Sequence, residues 1–345
     1  MSSHPAARMT EARSAEVLRF AEEAGRALRG LEAPQWRERL RSRYGECQSA
    51  LRWLLDHGRE DEGVRLALAL TDFWQYTDRI TEGRAWLDRI LRARTTEDGP
   101  AAEVLFQAGM LAFWQGENEA AMTLYRRSLD LARRLGEPTA IAVALTGVAR
   151  VELRRDIDRA RTLCLEALDV VDGTDDRRGR ANSLHVLGVA AQMSGDYPEA
   201  RGWMSQRLQL AREMGDLRGV ASEAGNLSVV AQRLGDLHRA SDLAEESLRL
   251  ADRLGDAWLI PYSLNSLAAI AVATHDFERA ATLLSAADRL VTEQGAAWPP
   301  DEGPHFERSR TAAAEALDSA AFEQAWSAGR LLRGHEAVRY ALGSA

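Results

Sequence analysis

The chain is 345 residues long, 46% hydrophobic and 28% charged, with a net charge of −8. These proportions suit a soluble folded chain of about two domains, and the acidic balance argues against direct nucleic-acid binding or attachment to an anionic membrane. All 44 basic residues are arginine, which excludes chemistry that requires a lysine amine, such as the phosphate grip of a P-loop or a Schiff base.

Residues 1–20 alternate charge, with Arg8, Glu11, Arg13, Glu16 and Arg19, and contain no apolar run of signal-peptide type. Residues 1–10 are expected to be disordered. Two helical runs, 12–29 and 35–57, form N-terminal helices over 11–62. Cys47 and Cys164 are too far apart in sequence for a metal or redox pair and suit a reducing cytoplasm.

From residue 63 to 293 the pattern is that of six helical hairpins. The first is loose: 63–76 forms one helix, 81–92 the next, and Gly83 stands where later copies have alanine. The rest share a turn that ends in alanine. Its copies are Gly116-Glu117-Asn118-Glu119-Ala120-Ala121, Arg155-Asp156-Ile157-Asp158-Arg159-Ala160, Gly195-Asp196-Tyr197-Pro198-Glu199-Ala200, Gly235-Asp236-Leu237-His238-Arg239-Ala240 and His275-Asp276-Phe277-Glu278-Arg279-Ala280. The last alanines step by 39, 40, 40 and 40 residues. Before each turn an apolar helical run carries one small residue: Gly109, Gly147, Gly188, Ser228 or Ala268. That residue and the turn alanine let two helices approach closely, and a larger side chain would overpack them. The Gly-Asp pair stops one helix and caps the next. The uncharged stretch 257–274 contains Pro261 and Asn265 and falls inside a repeat, so it reads as a buried helix rather than a membrane span. After Glu293 the period is lost at Trp298-Pro299-Pro300-Asp301-Glu302-Gly303-Pro304, and short helices over 294–345 form a C-terminal cap.

Small residues flanking a Gly-Asp-Tyr turn resemble the tetratricopeptide repeat, whose usual period is shorter. The expected fold is therefore all-α: a right-handed tetratricopeptide-like superhelix, or α-solenoid, with N-terminal helices and a helical cap. A wider resemblance rests on ordered segments. These are Phe20-Ala21-Glu22-Glu23-Ala24, Leu28-Arg29-Gly30-Leu31-Glu32, Ala50-Leu51-Arg52-Trp53-Leu54-Leu55-Asp56-His57-Gly58, Glu82-Gly83-Arg84-Ala85-Trp86-Leu87 and Phe322-Glu323-Gln324-Ala325-Trp326-Ser327-Ala328-Gly329-Arg330. They resemble the C-terminal tetratricopeptide region of actinobacterial STAND-type regulators, of the LuxR-family and AfsR-like kinds. Those place a P-loop ATPase before this region, and many add a helix-turn-helix; neither motif occurs in this sequence. The resemblance implies a regulatory sensor half, or a free-standing relative of one.

No histidine pair has the spacing of a zinc site, and no nucleophile or dinucleotide motif occurs. No enzyme activity, cofactor or metal is expected. Carrying over the inward positions of tetratricopeptide first helices nominates a concave groove. Phe106, Met110, Phe113 and Trp114 line one end, Asn182, His185, Gln192, Met193, Gln232 and Arg233 the middle, and Tyr262 and Asn265 the other end. Amides with one arginine suit a peptide backbone, a protein partner or a small polar inducer. The leading expectation is an interaction and sensing module of transcriptional regulation in the cytoplasm. A self-assembling scaffold and, less favoured, an enzyme with a groove active site remain alternatives.

Overall fold

A computed structural model describes residues 9–77, 79–94, 96–293, 298 and 302–343. All but two residues of the N-terminal stretch expected to be disordered, and Pro299, Pro300 and Asp301 of the expected chain break, lie outside the described residues. The chain divides into two compact units between Ala190 and Ala191. The described residues contain helices and no strand. Among them, no helix is long and apolar enough to cross a membrane.

The first unit contains α1 (Glu11–Ala27), α2 (Ala33–Asp56), α3 (Glu60–Ala69), α4 (Thr71–Gln75), α5 (Ile80–Ala93), α6 (Gly99–Trp114), α7 (Asn118–Leu135), α8 (Pro138–Glu152), α9 (Ile157–Val170) and most of α10 (Arg177–Met193). The single helix expected over 63–76 is broken at Leu70. There the Thr71 hydroxyl donates to the Leu68 carbonyl at 2.7 Å, and the Leu70 amide bonds only three residues back, to Ala67. A threonine that takes a backbone carbonyl competes with the helical ladder. Across the break, Gly25 of α1 lies against the Ala69 carbonyl, where a Cβ would come within 2.7 Å.

Glycine also fixes the first unit's helix contacts. Trp74 is fully buried, donates from Nε1 to the Tyr44 hydroxyl at 2.7 Å, and covers Gly83, where a Cβ would lie 2.5 Å from the ring. Tyr125 of α7 is fully buried between Gly109 of α6 and Gly147 of α8. A Cβ on either glycine would meet its ring at 2.8 or 2.6 Å. Gly83, Gly109 and Gly147 are therefore sockets for particular aromatic side chains.

The second unit continues with α11 (Tyr197–Met214), α12 (Leu217–Arg233), α13 (Leu237–Arg253), α14 (Leu259–Ala273), α15 (Phe277–Glu293), α16 (Gly303–Ala316), α17 (Ser319–Leu331) and α18 (Gly334–Ala341). Its helix ends follow one rule. The amides of Asp196, Asp216, Asp236, Asp256 and Asp276 donate to the carbonyls of Ala191, Ala211, Ala231, Ala251 and Ala271, at 2.8–3.0 Å. The accepting alanines are thus twenty residues apart, half of the forty-residue period. The residue before each aspartate has positive φ: Gly195, Gly215, Gly235, Gly255 and, without glycine's freedom, His275 at 61°. All five aspartates then accept from the backbone amide three residues on, those of Glu199, Gly219, Arg239, Leu259 and Arg279. The Ser228 hydroxyl donates to the Ala240 carbonyl at 2.8 Å, so the small residue and the turn alanine of one hairpin touch.

The terminal Phe-x-x-Ala-Trp-x-x-Gly block packs α17 on α15. Gly329 lies against the Thr282 carbonyl with no room for a Cβ, and Ser285 and Thr282 donate to the Trp326 and Ala325 carbonyls at 2.6 and 3.2 Å. Phe322 stacks on Trp326 at 5.5 Å.

Candidate functional site

The first helices of the hairpins bury one face and leave another partly open, and the nominated residues divide between the two units. In the first unit α6 contributes an aromatic edge. Trp114 is 48% exposed and meets Phe113 edge-on at 6.2 Å, and the Arg154 guanidinium lies 5.7 Å from the Phe113 ring. A cation at that distance is attracted to the ring face. Glu103, one turn before Phe106 on α6, is exposed, yet the surrounding protein pushes its carboxyl above the usual range, with Arg29 pulling the other way. Asn182 and His185 are half-buried on α10. Phe106 does not line an open face: it is buried, with its ring 5.4 Å from Tyr125. The expectation of a solvent-facing Phe106 fails because Tyr125, seated between two glycines, leaves a neighbouring apolar niche that Phe106 fills.

In the second unit Gln192 and Gln232 are half-buried at the ends of α10 and α12, and Arg233 beside them is exposed. No acidic group pairs with Arg233 among the described residues. Tyr262 is half-buried and meets Trp298 edge-on at 5.9 Å. Asn265, expected to face a groove, is fully buried. Its amide nitrogen lies 3.3 Å from the Glu302 carboxylate and 3.4 Å from His305 Nδ1. The correction has a plain cause: α16 packs on α14, and Asn265 is the polar fastener between them. Phe306 of α16 stacks on Trp298 at 4.8 Å. Burial, then Arg308 and Arg233, push the His305 imidazole down to about 4, so it is neutral near pH 7 and free to accept from Asn265.

The described residues hold no group of three or more His, Cys, Asp or Glu side chains arranged to bind a metal ion. The two cysteines are buried, and burial pushes both thiols up to about 12, away from nucleophilic behaviour near neutrality. The open faces present a partly exposed indole in one unit and, in the other, half-buried amides beside a guanidinium with no acidic partner among the described residues. Position-by-position reading nominated Trp114, Gln192, Gln232 and Arg233, all of them exposed or half-buried, but passed over Glu103, which occupies an inward position of α6 and whose only signal was that position.

Comparison with known proteins follows the same lines. The tetratricopeptide repeat profile matches residues 141–213. A protein of Mycobacterium tuberculosis named "Putative HTH-type transcriptional regulator" is 25% identical over 167 residues, covering 46% of this chain and 19% of its own length; the chain thus spans about a fifth of that relative. Among solved structures, a Rap protein complexed with Competence and Sporulation Factor superposes with a TM-score of 0.59 at 15% identity, over 95% of this chain and 92% of that one. A STAND protein with a tetratricopeptide repeat sensor from Pyrococcus horikoshii gives 0.55 at 13% identity, over 87% and 51%. NprR in complex with its cognate peptide NprX gives 0.51 at 17% identity, over 80% and 85%. At such identities the structural likeness concerns the fold alone. The fold is all-helical and of tetratricopeptide-like type, and the chain carries a repeat of the protein-interaction kind.

Proposed function

We propose that this chain is the interaction and sensing module of a transcriptional regulatory system. It binds a peptide or protein signal on the open faces of its first helices and performs no catalysis. The observation that carries this reading is Arg233: an exposed guanidinium without an ion-pair partner among the described residues, next to half-buried Gln232 on a face that also holds half-buried Val229. Amides supply both donors and acceptors to an extended backbone, while an unpaired arginine adds a charge-assisted bond to a carboxylate. The likeness to a Rap protein and to NprR, each solved with a bound partner, supports a peptide or protein occupant over a small inducer. The partial match to an HTH-type regulator and the likeness to a STAND sensor support the regulatory setting.

The test is a peptide-display selection on the wild-type chain, followed by titration calorimetry of the selected peptide. Gln192→Ala with Arg233→Ala is expected to weaken that peptide at least tenfold while leaving the melting temperature within a degree or two. Equal affinity for wild type and variant removes the assignment of this face.

A further inference from the structure

A second recognition surface lies on other helices. Between α5 and α7 of the first unit runs an open cleft of about 610 Å³, lined by Arg84, Asp88, Leu91 and Arg92 from α5 and by Glu119, Ala120, Thr123, Leu124 and Arg127 from α7. A cavity of about 560 Å³ lies alongside it around the α6–α7 turn, reaches Arg155, and shares Glu119 and Ala120 with it.

The charges here are unevenly used. Both acids are engaged within the molecule: Asp88 accepts from Arg84 Nε at 3.1 Å, and Glu119 pairs with Arg155. Arg92 and Arg127 are exposed, and neither has an acidic partner among the described residues. Arg84 is held deeper. Its Nη1 is buried without a hydrogen-bond partner; it forms an ion pair with Glu117 at 3.6 Å, beyond hydrogen-bonding distance. Beside it at the turn, Gln115 Oε1 and Asn118 Oδ1 are likewise buried and unbonded. Unsatisfied buried polar atoms are scarce in folded proteins and call for an explanation wherever they gather. Here Arg84 lines the cleft and Asn118 the adjoining cavity, where the charge left unpaired on Arg92 and Arg127 is positive in a chain whose net charge is −8.

We infer that this cleft docks an acidic peptide segment of a partner protein. Its carboxylates engage Arg92 and Arg127 at the mouth, and the adjoining Arg84 keeps the cleft wall cationic. The floor decides between an acidic peptide and a bare oxyanion. Leu91, Ala120 and Leu124 present aliphatic surface, which a peptide side chain can cover and an inorganic ion cannot. Planar guanidinium groups favour two-pronged carboxylate contacts, so the absence of lysine does not weaken the site.

The experiment uses the full chain and a fluorescein-labelled ten-residue peptide of glutamate pairs separated by single leucines, read by fluorescence anisotropy at fixed ionic strength. Arg92→Glu with Arg127→Glu is expected to weaken binding more than tenfold with an unchanged circular-dichroism melt. Gln192→Ala with Arg233→Ala is expected to leave it unchanged, which separates this surface from the first-helix face. Sodium phosphate, added with ionic strength held constant, is expected not to displace the peptide. Three outcomes each overturn the inference: wild type failing to bind, the charge-reversed variant binding as well as wild type, or phosphate displacing the peptide.

Discussion

The early hairpin of the first unit and the regular hairpins of the second solve the same packing problem by different means. In α12–α15 the backbone does the work: a positive-φ residue, an aspartate amide on an alanine carbonyl, and an aspartate carboxylate on the following helix. Among the described residues, the junctions between α3 and α4 and between α4 and α5 show none of these devices. The residues before α4 and α5, Leu70 and Arg79, make no side-chain cap bond. Helix contact rests instead on Trp74, buried over Gly83 and tied to Tyr44. Local hydrogen bonds specify a hairpin redundantly, whereas a single large aromatic in a glycine socket concentrates the stability at one position.

That contrast can be broken most forcefully at Trp74. Trp74→Ala is expected to cost about 3–5 kcal/mol, from lost burial plus the cavity over Gly83, and to be read as a lowered denaturant midpoint. No single cap change in the second unit should approach this, since loss of an N-cap side chain costs about 1 kcal/mol.

The next effect belongs to the α14–α16 contact of the second unit. The folded-state pKa of His305 lies below its unfolded value, so the unfolded state binds more protons between the two. The neutral-histidine contribution is therefore complete above about pH 6.5 and is lost as pH falls toward about 4. Chemical denaturation across that window should show a stability loss on the order of 2–3 kcal/mol that His305→Gln abolishes. Equal pH slopes in wild type and variant would show that the histidine does not carry the dependence.

The smallest effect sharpens the rule of the regular hairpins. His275 adopts a left-handed conformation that its four counterparts assign to glycine. His275→Gly should raise stability by about 1 kcal/mol, visible as a small upward shift in Tm.

The sequence made the regular hairpins legible because their signals are short-range. A glycine, an aspartate and an alanine at fixed offsets report a backbone turn that those same residues build. The break at Leu70 was hidden because it depends on a threonine hydroxyl and on the approach of α1 at Gly25, which no helical periodicity records. The candidate site was legible in the same uneven way. Gln192 and Gln232 are only half-buried and Arg233 is exposed, as an open first-helix face would leave them. Phe106 and Asn265 occupy equivalent positions but are covered, one beside Tyr125 and the other beneath α16. Helix position predicts which way a residue points and is silent about what arrives on top of it. The terminal Phe-x-x-Ala-Trp-x-x-Gly block shows the converse: a distinctive string whose alanine and glycine serve the contact of α17 with α15.

The alanine carbonyls at 191, 211, 231, 251 and 271 give the chain a grammar with one helix as its word. A splice that removes forty residues, from just after Ala191 through Ala231, would join one stop signal to the next with every downstream cap still in phase. An excision of thirty-four from the same point would keep the stop bond but leave the fused helix about six residues longer than the 17-residue α10, out of register with its neighbours. Lengthening or shortening this protein by duplication is thus quantised by its turns, and a lineage could add or shed hairpins without redesigning the junctions.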